Sequence, residues 1–214
     1  SIPGAMGRVK AAPATVLQCS PSIAEAPAMI WPISDLHLSH AQPKPMDIFG
    51  PHWRDHPARI AASWRARAAP DDHVLVAGDI SWAMKLPEAL VDLRWIDALP
   101  GKKLLIRGNH DYWCPRRVNP VRAHLPPSLT LLGGDACDIG DTVVMIHFPP
   151  FVNQQPTEFA RRIAAGGARA CVYGHLHRRQ DHDNAVNRTV DGVSYQLTAA
   201  DYLDFGPVAV RGLA

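Results

Sequence analysis

Short apolar runs recur along the chain at intervals that suit alternating strands and helices. They are rich in Val, Ile and Leu and show little alternation, as expected for strands buried on both faces. We predict strands at 29–34, 73–77, 103–107, 128–132, 142–147, 170–173, 193–198 and 208–210. The intervening segments 57–69, 87–99, 115–124 and 156–165 have helical composition, with Pro near the first turn. This alternation predicts an α/β fold in which helices cover buried strands.

The N-terminal part of the chain lacks this pattern. Residues 1–7 read like a cloning scar, and residues 8–27 are rich in Ala, Pro and Ser without a clear period. We therefore exclude 1–27 from the fold and predict a single domain over 28–214. Met29 is a candidate for the natural start.

Composition fits one domain with a sizeable core, since 47% of the 214 residues are hydrophobic and 20% are charged. A net charge of +2 is not the strongly basic balance of a dedicated nucleic-acid binder, so nucleic acid is disfavoured as a partner. The four cysteines show no paired spacing, and no segment is apolar enough to span a bilayer. We therefore expect a soluble, cytoplasmic protein that does not bind membranes.

Five polar blocks follow the apolar runs, each at the point where a run ends. They are Asp35-Leu36-His37, Gly78-Asp79, Gly108-Asn109-His110-Asp111, His147 and Gly174-His175-Leu176-His177. Ligand-bearing loops collect at strand ends in open α/β folds, so these blocks are expected to meet. Carboxylate, imidazole and amide oxygen are ligands that borderline divalent metals accept. The blocks therefore predict one metal site.

The ordered set D-x-H, GD, GNH[D/E], H, GHxH resembles the calcineurin-like metallophosphoesterase superfamily. All five blocks are present in the family's order, and the resemblance covers most of the chain from Asp35 to His177. It implies a four-layer α-β-β-α sandwich of two mixed sheets flanked by helices. It also implies two divalent metal ions, for which we expect manganese first, with iron, zinc or nickel as alternatives.

The resemblance also implies a role for each block residue. Asp79 would bridge the two ions and hold them together with six further ligands, which are Asp35, His37 and His177 for the first ion and Asn109, His147 and His175 for the second. A metal-bridging hydroxide would then attack the phosphorus atom. His110 would act as general acid or charge stabiliser, and Asp111 is one candidate for the residue that orients it.

Residues beside the blocks are candidates for contacts with a substrate. They are His40, Arg107, Trp113 and Arg178. Arginine forks match phosphate oxygens, although charged residues on loops more often face solvent alone. Trp113 would stack on a nucleobase or pack beneath the loop. No role is assigned to Asp201 in the tail.

Together these features predict a phosphodiesterase or phosphatase acting on a small or nucleotide-like phosphoester. The continuation of Gly78-Asp79 as Ile80-Ser81 departs from the GDxVDRG block of serine/threonine protein phosphatases and argues against protein substrates. A nuclease is an alternative, which the near-neutral charge disfavours. A non-catalytic scaffold that binds a protein partner is another, which the complete ligand set disfavours.

Overall fold

The structure is a computed structural model that describes residues 29–133, 136–139 and 142–211. The extension expected at 1–27 lies outside the described residues. The strands are β1 (Ile30–Ile33), β2 (His73–Ala77), β3 (Lys102–Ile106), β4 (Leu129–Leu131), β5 (Ala136–Ile139), β6 (Val143–Ile146), β7 (Phe151–Val152), β8 (Gln155–Pro156), β9 (Ala170–Tyr173), β10 (Thr189–Val190) and β11 (Val193–Leu197). The helices are α1 (His56–Arg67), α2 (Leu86–Asp97), α3 (Asn119–Arg122), α4 (Glu158–Ala165) and α5 (Arg179–Asp183).

Most of these strands belong to two sheets. The first sheet has the order β1-β2-β3-β4 and is parallel throughout. The second has the order β10-β11-β9-β6-β5, in which β6, β9 and β11 are parallel and the two outer strands pair antiparallel. Strands β7 and β8 form a separate antiparallel pair.

Alternate side chains of each buried strand pack into different layers, because successive residues point to opposite faces of a sheet. Leu75 of β2 packs between the sheets with Met145 of β6. Its neighbour Val74 packs on the outer face of the first sheet, in the cluster that includes Ile60 of α1 and Leu93 of α2. The apolar runs are nearly continuous because both faces of the sheet are covered.

Helix α4 covers the outer face of the second sheet, where Ile163 packs in one cluster with Tyr173 of β9 and Leu197 of β11. The layers are therefore α1 and α2, the parallel sheet, the mixed sheet, and α4. The predicted α-β-β-α sandwich is confirmed. No helix within residues 29–133, 136–139 and 142–211 is both long enough and apolar enough to cross a membrane.

Two predicted elements differ in the structure. The strand predicted at 208–210 is wrong, because these residues have no regular structure and Val210 contributes one backbone hydrogen bond to Ile30. The helix predicted at 115–124 shortens to α3, since Pro120 in its first turn lacks an N–H and crowds the carbonyl of a preceding turn. The sequence pattern does not indicate β7, β8, β10 or α5, which are too short to show a period. It also misses β5, whose sequence Ala-Cys-Asp-Ile is interrupted by a charged residue.

Seven of the described strands share one direction, β4 included, and six of them lead into the functional loops. Strands β1, β2 and β3 are parallel in one sheet, and β6, β9 and β11 are parallel in the other. A parallel bridge between Ser34 and Ala199 joins the end of β1 to the segment after β11. The carboxyl ends of all six strands therefore meet at the same edge of the sandwich.

Candidate metal centre

Side chains from five loops converge at this edge in two groups. In the first group, one ligand atom of each residue lies within 4.8 Å of the others, and the members are Asp35, His37 and His177. The second group meets the same limit with Asp79, His147 and His175. All six were predicted as ligands from the sequence blocks. The structure thus brings together residues that are up to about 140 positions apart in the chain.

The first group surrounds a single point with lone-pair atoms. The Nε2 atoms of His37 and His177 are 3.3 Å apart, and the latter is 3.3 Å from Oδ1 of Asp35. Asp35 is fully buried, and its Oδ2 accepts a hydrogen bond of 2.5 Å from the hydroxyl of Ser34. This geometry suits a divalent cation held by two imidazoles and a carboxylate.

Asn109, the remaining predicted ligand, lies beside the second group. Its Oδ1 lies 2.8 Å from Nε2 of His147 and 2.9 Å from Nδ1 of His175. Oδ2 of Asp79 is 3.5 Å from the same His147 nitrogen. One amide oxygen, one carboxylate oxygen and two ring nitrogens therefore face a common centre.

The two groups are directly connected. The backbone N–H of His175 in the second group donates to both oxygens of Asp35 in the first, at 3.1 and 3.0 Å. Oδ1 of Asp79 accepts from the N–H of His110 at 2.8 Å, whereas its Oδ2 is buried and has no hydrogen-bond partner among the described residues. A buried, unpaired carboxylate oxygen is costly, and a bound cation would satisfy it. The residues present thus fit two neighbouring divalent cations.

Hydrogen bonds on the far side of two imidazoles hold their Nε2 atoms toward these groups. Nδ1 of His147 lies 2.9 Å from the carbonyl oxygen of Ala77, and Nδ1 of His177 lies 3.0 Å from Oδ1 of Asp201. A nitrogen that donates its proton outward leaves the other nitrogen with a lone pair facing the centre. Such outer partners orient metal-binding histidines and fix their tautomers.

The buried carboxylates and imidazoles shift one another's pKa. Burial raises the pKa of Asp35, but the hydrogen bond and charge of His177 outweigh it, and the net pKa is lowered. Burial also raises the pKa of Asp79, but His147 outweighs this effect, and the net pKa of Asp79 is lowered. For His177 and His147 the effects are reversed, because burial lowers the pKa of an imidazole and a neighbouring carboxylate raises it. The carboxylates prevail, and they raise the pKa of His177 to about 10 and the pKa of His147 to about 9. The buried carboxylates therefore require positive charge, which protons or cations can supply.

Four of the predicted ligand residues have a left-handed backbone, which residues other than glycine adopt rarely. The φ angles are 57° at Asp35, 47° at His37, 52° at Asp79 and 75° at His175. Backbone strain of this kind persists only where surrounding structure enforces it, and it clusters at functional sites. Here it lets the chain turn sharply after each strand and direct a side chain into the centre.

Two glycines of the blocks allow the loops to approach each other closely. A Cβ atom at Gly108 would overlap the backbone nitrogen and carboxylate of Asp79, and one at Gly174 would overlap the side chains of Ser34 and Asp35. The Gly-Asn and Gly-His pairs of the motif therefore reflect packing of one ligand loop against another.

His110 lies beside the centre but outside both ligand groups. Its ring centroid is 5.8 Å from that of His37 and 4.5 Å from that of Trp82, and the residue is half-buried. Trp82 also stacks on His37, with the centroids 4.8 Å apart and the planes at 19°. An imidazole so placed is within reach of a group bound at the centre.

Asp111, expected as a partner for His110, has a different position. It is fully buried, and its carboxylate accepts four hydrogen bonds of 2.8–3.1 Å from the backbone N–H groups of Gly108, Ile80 and Ser81 and the indole of Trp113. Burial and the charge of Asp79 raise its pKa to about 6, against the effect of the backbone N–H donors. Asp111 thus links the loop after β2 to the loop after β3 on their buried side, because it accepts hydrogen bonds from buried N–H groups of both loops.

The four candidate substrate contacts occupy different environments. Trp113 is only 4% exposed, so the expected stacking surface is instead part of the core beneath the loop. Arg107 donates from Nε to the carbonyl of Cys114 at 2.9 Å and braces the same loop. His40 is held 2.7 Å from Oδ1 of the buried Asp92. Arg178 is exposed and directly precedes α5.

Asp201 is a residue of the site that sequence reasoning missed. It follows β11 by four positions, and its side chain is 1% exposed while it contacts His177. The signal was present in the sequence, because a carboxylate soon after an apolar run is also what marks Asp79 after β2. The lack of a neighbouring histidine or glycine made this signal weak.

Residues 29–194 match the model of the calcineurin-like phosphoesterase superfamily domain. The chain is 29% identical over 182 residues to the gene 66 protein of Mycobacterium phage L5, an alignment that covers 71% of this chain and 84% of the phage protein. It is 30% identical over 168 residues to the gene 66 protein of Mycobacterium phage D29, covering 70% of this chain and 79% of that protein. The fold is also similar to the crystal structure of a protein of unknown function from Aquifex aeolicus, with a TM-score of 0.58 and 20% identity over 85% of this chain and 95% of that one.

Proposed function

The chain belongs to the calcineurin-like phosphoesterase superfamily, and we propose that it is a dinuclear metallohydrolase of a small or nucleotide-like phosphoester. Metal-dependent phosphoester hydrolysis is the activity that this domain implies. The observation that carries the dinuclear proposal is the pair of adjacent ligand groups, linked by the hydrogen bonds from His175 to Asp35. Asp79, whose Oδ2 has no hydrogen-bond partner in the described part of the chain, is the residue we propose as the bridge.

The donor set supports first-row divalent ions, since it combines imidazole, carboxylate and one amide oxygen. We expect manganese first, with iron, zinc or nickel as alternatives. When bound, two such ions supply Lewis acidity that activates the attacking water and offsets phosphoryl charge. The remaining chemistry belongs to the side chains of the protein itself.

His110 is the proposed general acid or charge stabiliser. Its backbone N–H is bonded to Asp79, and its ring lies against Trp82, so both its main chain and its side chain are held beside the centre. Protonation of the leaving oxygen by a positioned acid typically contributes about 10²–10⁴ in rate. Trp82 also stacks on the ring of His37.

Exposed aromatic rings surround the solvent-facing opening of the centre, here called the mouth, and they support a substrate with a planar group. Phe148 is 41% exposed, and its ring centroid is 5.1 Å from that of His147 and 4.9 Å from that of His175. Tyr112 is 51% exposed and adjoins His110. Bases stack on such rings with little sequence preference, which favours a nucleotide-like or aryl phosphoester.

The test is a hydrolysis screen of the purified chain with bis(p-nitrophenyl) phosphate and p-nitrophenyl phosphate across Mn, Fe, Zn, Ni and Mg, together with metal analysis. Turnover that is lost on chelation and restored by metal would support the proposal. Diester turnover would identify a phosphodiesterase, and monoester turnover alone a phosphatase. Two bound ions without turnover of either ester would favour the scaffold alternative.

Variants of the ligands complete the test. Asp79→Asn and His175→Ala should each lose bound metal and turnover, whereas the exposed His124→Ala should keep both. A folded Asp79→Asn protein with wild-type metal content and turnover would refute the assignment of this site.

A further inference from the structure

The hydroxyl of Tyr112 lies 3.1 Å from Nδ1 of His110. The two rings meet edge to face, with their centroids 5.9 Å apart and their planes at 77°. This contact is at the ring nitrogen whose partner decides the orientation of the imidazole. Asp111, the expected partner, is engaged by four other donors below the loop.

The segment 110–113 presents the pair as a unit. The side chains of this segment alternate between the core and the surface. Asp111 and Trp113 are buried, and the indole of Trp113 donates to Asp111 at 3.0 Å, whereas Tyr112 is half-exposed. The N–H of Tyr112 also donates to the carbonyl of His110 at 2.9 Å, which closes a tight turn. The two buried side chains therefore anchor the two that face the mouth.

We propose that Tyr112 is the positioning residue of His110, a role that rests on the proposed function. In the protonated imidazole, Nδ1–H donates to the tyrosine oxygen, and the Nε2 proton is available to the substrate. As the hydroxide derived from the attacking water forms its bond to phosphorus, the P–O bond to the leaving group breaks. The electron pair of the broken bond stays on the leaving oxygen, and the Nε2 proton moves to that oxygen. The neutral ring then keeps its Nδ1–H bond to Tyr112.

A hydroxyl suits this position because it is neutral. A carboxylate at the mouth would repel an anionic phosphoester, whereas the negative charge of Asp111 lies beneath the loop among N–H donors. The tyrosine oxygen holds the imidazole on one side, and Trp82 contacts it 4.5 Å away between centroids. His110 is thus confined between two aromatic residues.

The experiment compares wild type, Tyr112→Phe, His110→Ala and the double variant as metal-reconstituted enzymes. The substrates are aryl phosphoesters whose leaving groups span a range of pKa. We expect Tyr112→Phe to lower kcat about tenfold for the poorest leaving groups and little for p-nitrophenol, with KM and metal content unchanged. In the His110→Ala background, the same change should have no further effect, because the two residues act as one unit.

Equal losses in both backgrounds, or a raised KM without leaving-group dependence, would overturn the role of Tyr112. Tyr195→Phe is the matched control, since its hydroxyl contacts the carbonyl of Ala160 in the α4 layer, and its kinetics should equal wild type. A wild-type enzyme without turnover under any metal would instead remove the proposed function and this role together. Turnover without coupling between the two residues would remove only the role of Tyr112.

Discussion

Oδ1 of Asp201 lies 3.0 Å from Nδ1 of His177, and this hydrogen bond sets the direction in which the histidine faces. The opposite nitrogen, Nε2, then lies 3.3 Å from both Asp35 and His37. The Asp201 side chain is 1% exposed, so water cannot readily take its place. A residue outside every sequence block therefore orients a predicted ligand.

Replacing Asp201 by Ala should weaken metal binding at the first group by about 10- to 100-fold, because the His177 ring loses its outer partner. Competition with a chelator of known affinity measures this change. Asp71→Ala, an exposed carboxylate just before β2, is the control and should bind as wild type does. Unchanged affinity in Asp201→Ala would mean that packing alone orients the ring.

Gly108→Ala should lose bound metal and thermal stability together. The added methyl group would overlap the backbone of Asp79, so one of the two ligand loops must move. Gly133→Ala is the control, since its methyl group would meet its nearest neighbours at an ordinary 3.7 Å. Metal analysis and a thermal melt measure both effects, and a Gly108→Ala protein with full metal content would contradict the close packing of these loops.

Asp92 on α2 ties two loops of the centre to that helix. It is 1% exposed and accepts hydrogen bonds from the backbone and ring of His40 and from the hydroxyl of Ser81. Asp92→Ala should lower the free energy of unfolding by about 3 kcal/mol, because the buried hydroxyl of Ser81 and the part-buried N–H and ring of His40 would lose their acceptor.

Denaturant unfolding measures this difference. Glu88→Ala on the same helix removes two exposed hydrogen bonds, from the side-chain amide of Gln42 and from the backbone N–H of Met84, and should change the free energy of unfolding by less than about 1 kcal/mol. Similar small losses in both variants would show that the Asp92 contacts do not contribute to stability.

Lys103 makes stability depend on pH at the opposite end of the sheet. Its side chain is buried, and Nζ contacts the carbonyls of Leu99 and Asp97 and the hydroxyl of Ser128. Burial lowers its pKa from 10.5 to about 8, against the charge of Asp97. Between these values the unfolded chain binds more protons, so this residue makes the free energy of unfolding rise with pH.

The comparison of wild type with Lys103→Met isolates this effect from other titrating groups. The stability of wild type relative to the variant should increase from pH 8 to pH 10.5 and be constant below that range. Urea unfolding at a series of pH values gives this difference. A difference that stays constant across the range would show that Lys103 titrates at its ordinary pKa.

The sequence by itself determined most of the longer strands and the order of the ligand blocks. The predicted strands at 73–77 and 170–173 have the observed bounds of β2 and β9, because a strand buried on both faces is apolar until it reaches the loop. The blocks follow such strands, so the edge where they meet was predictable from parallel pairing. The two-residue strand β7 and the five-residue helix α5 were not predictable, because two strand residues or little more than one helical turn are too short to show a period.

Only the tertiary structure decided which outer partner each functional side chain has. Asp111 was a plausible partner for its neighbour His110, but the N–H groups of two loops meet beneath it and take its carboxylate. Tyr112 faces His110 because the residues beside it are anchored in the core. His177 and Asp201 meet because β9 and β11 pair in parallel and end at the same edge. Local periodicity indicates which face of an element is buried, whereas contacts between loops depend on how separate elements pack together.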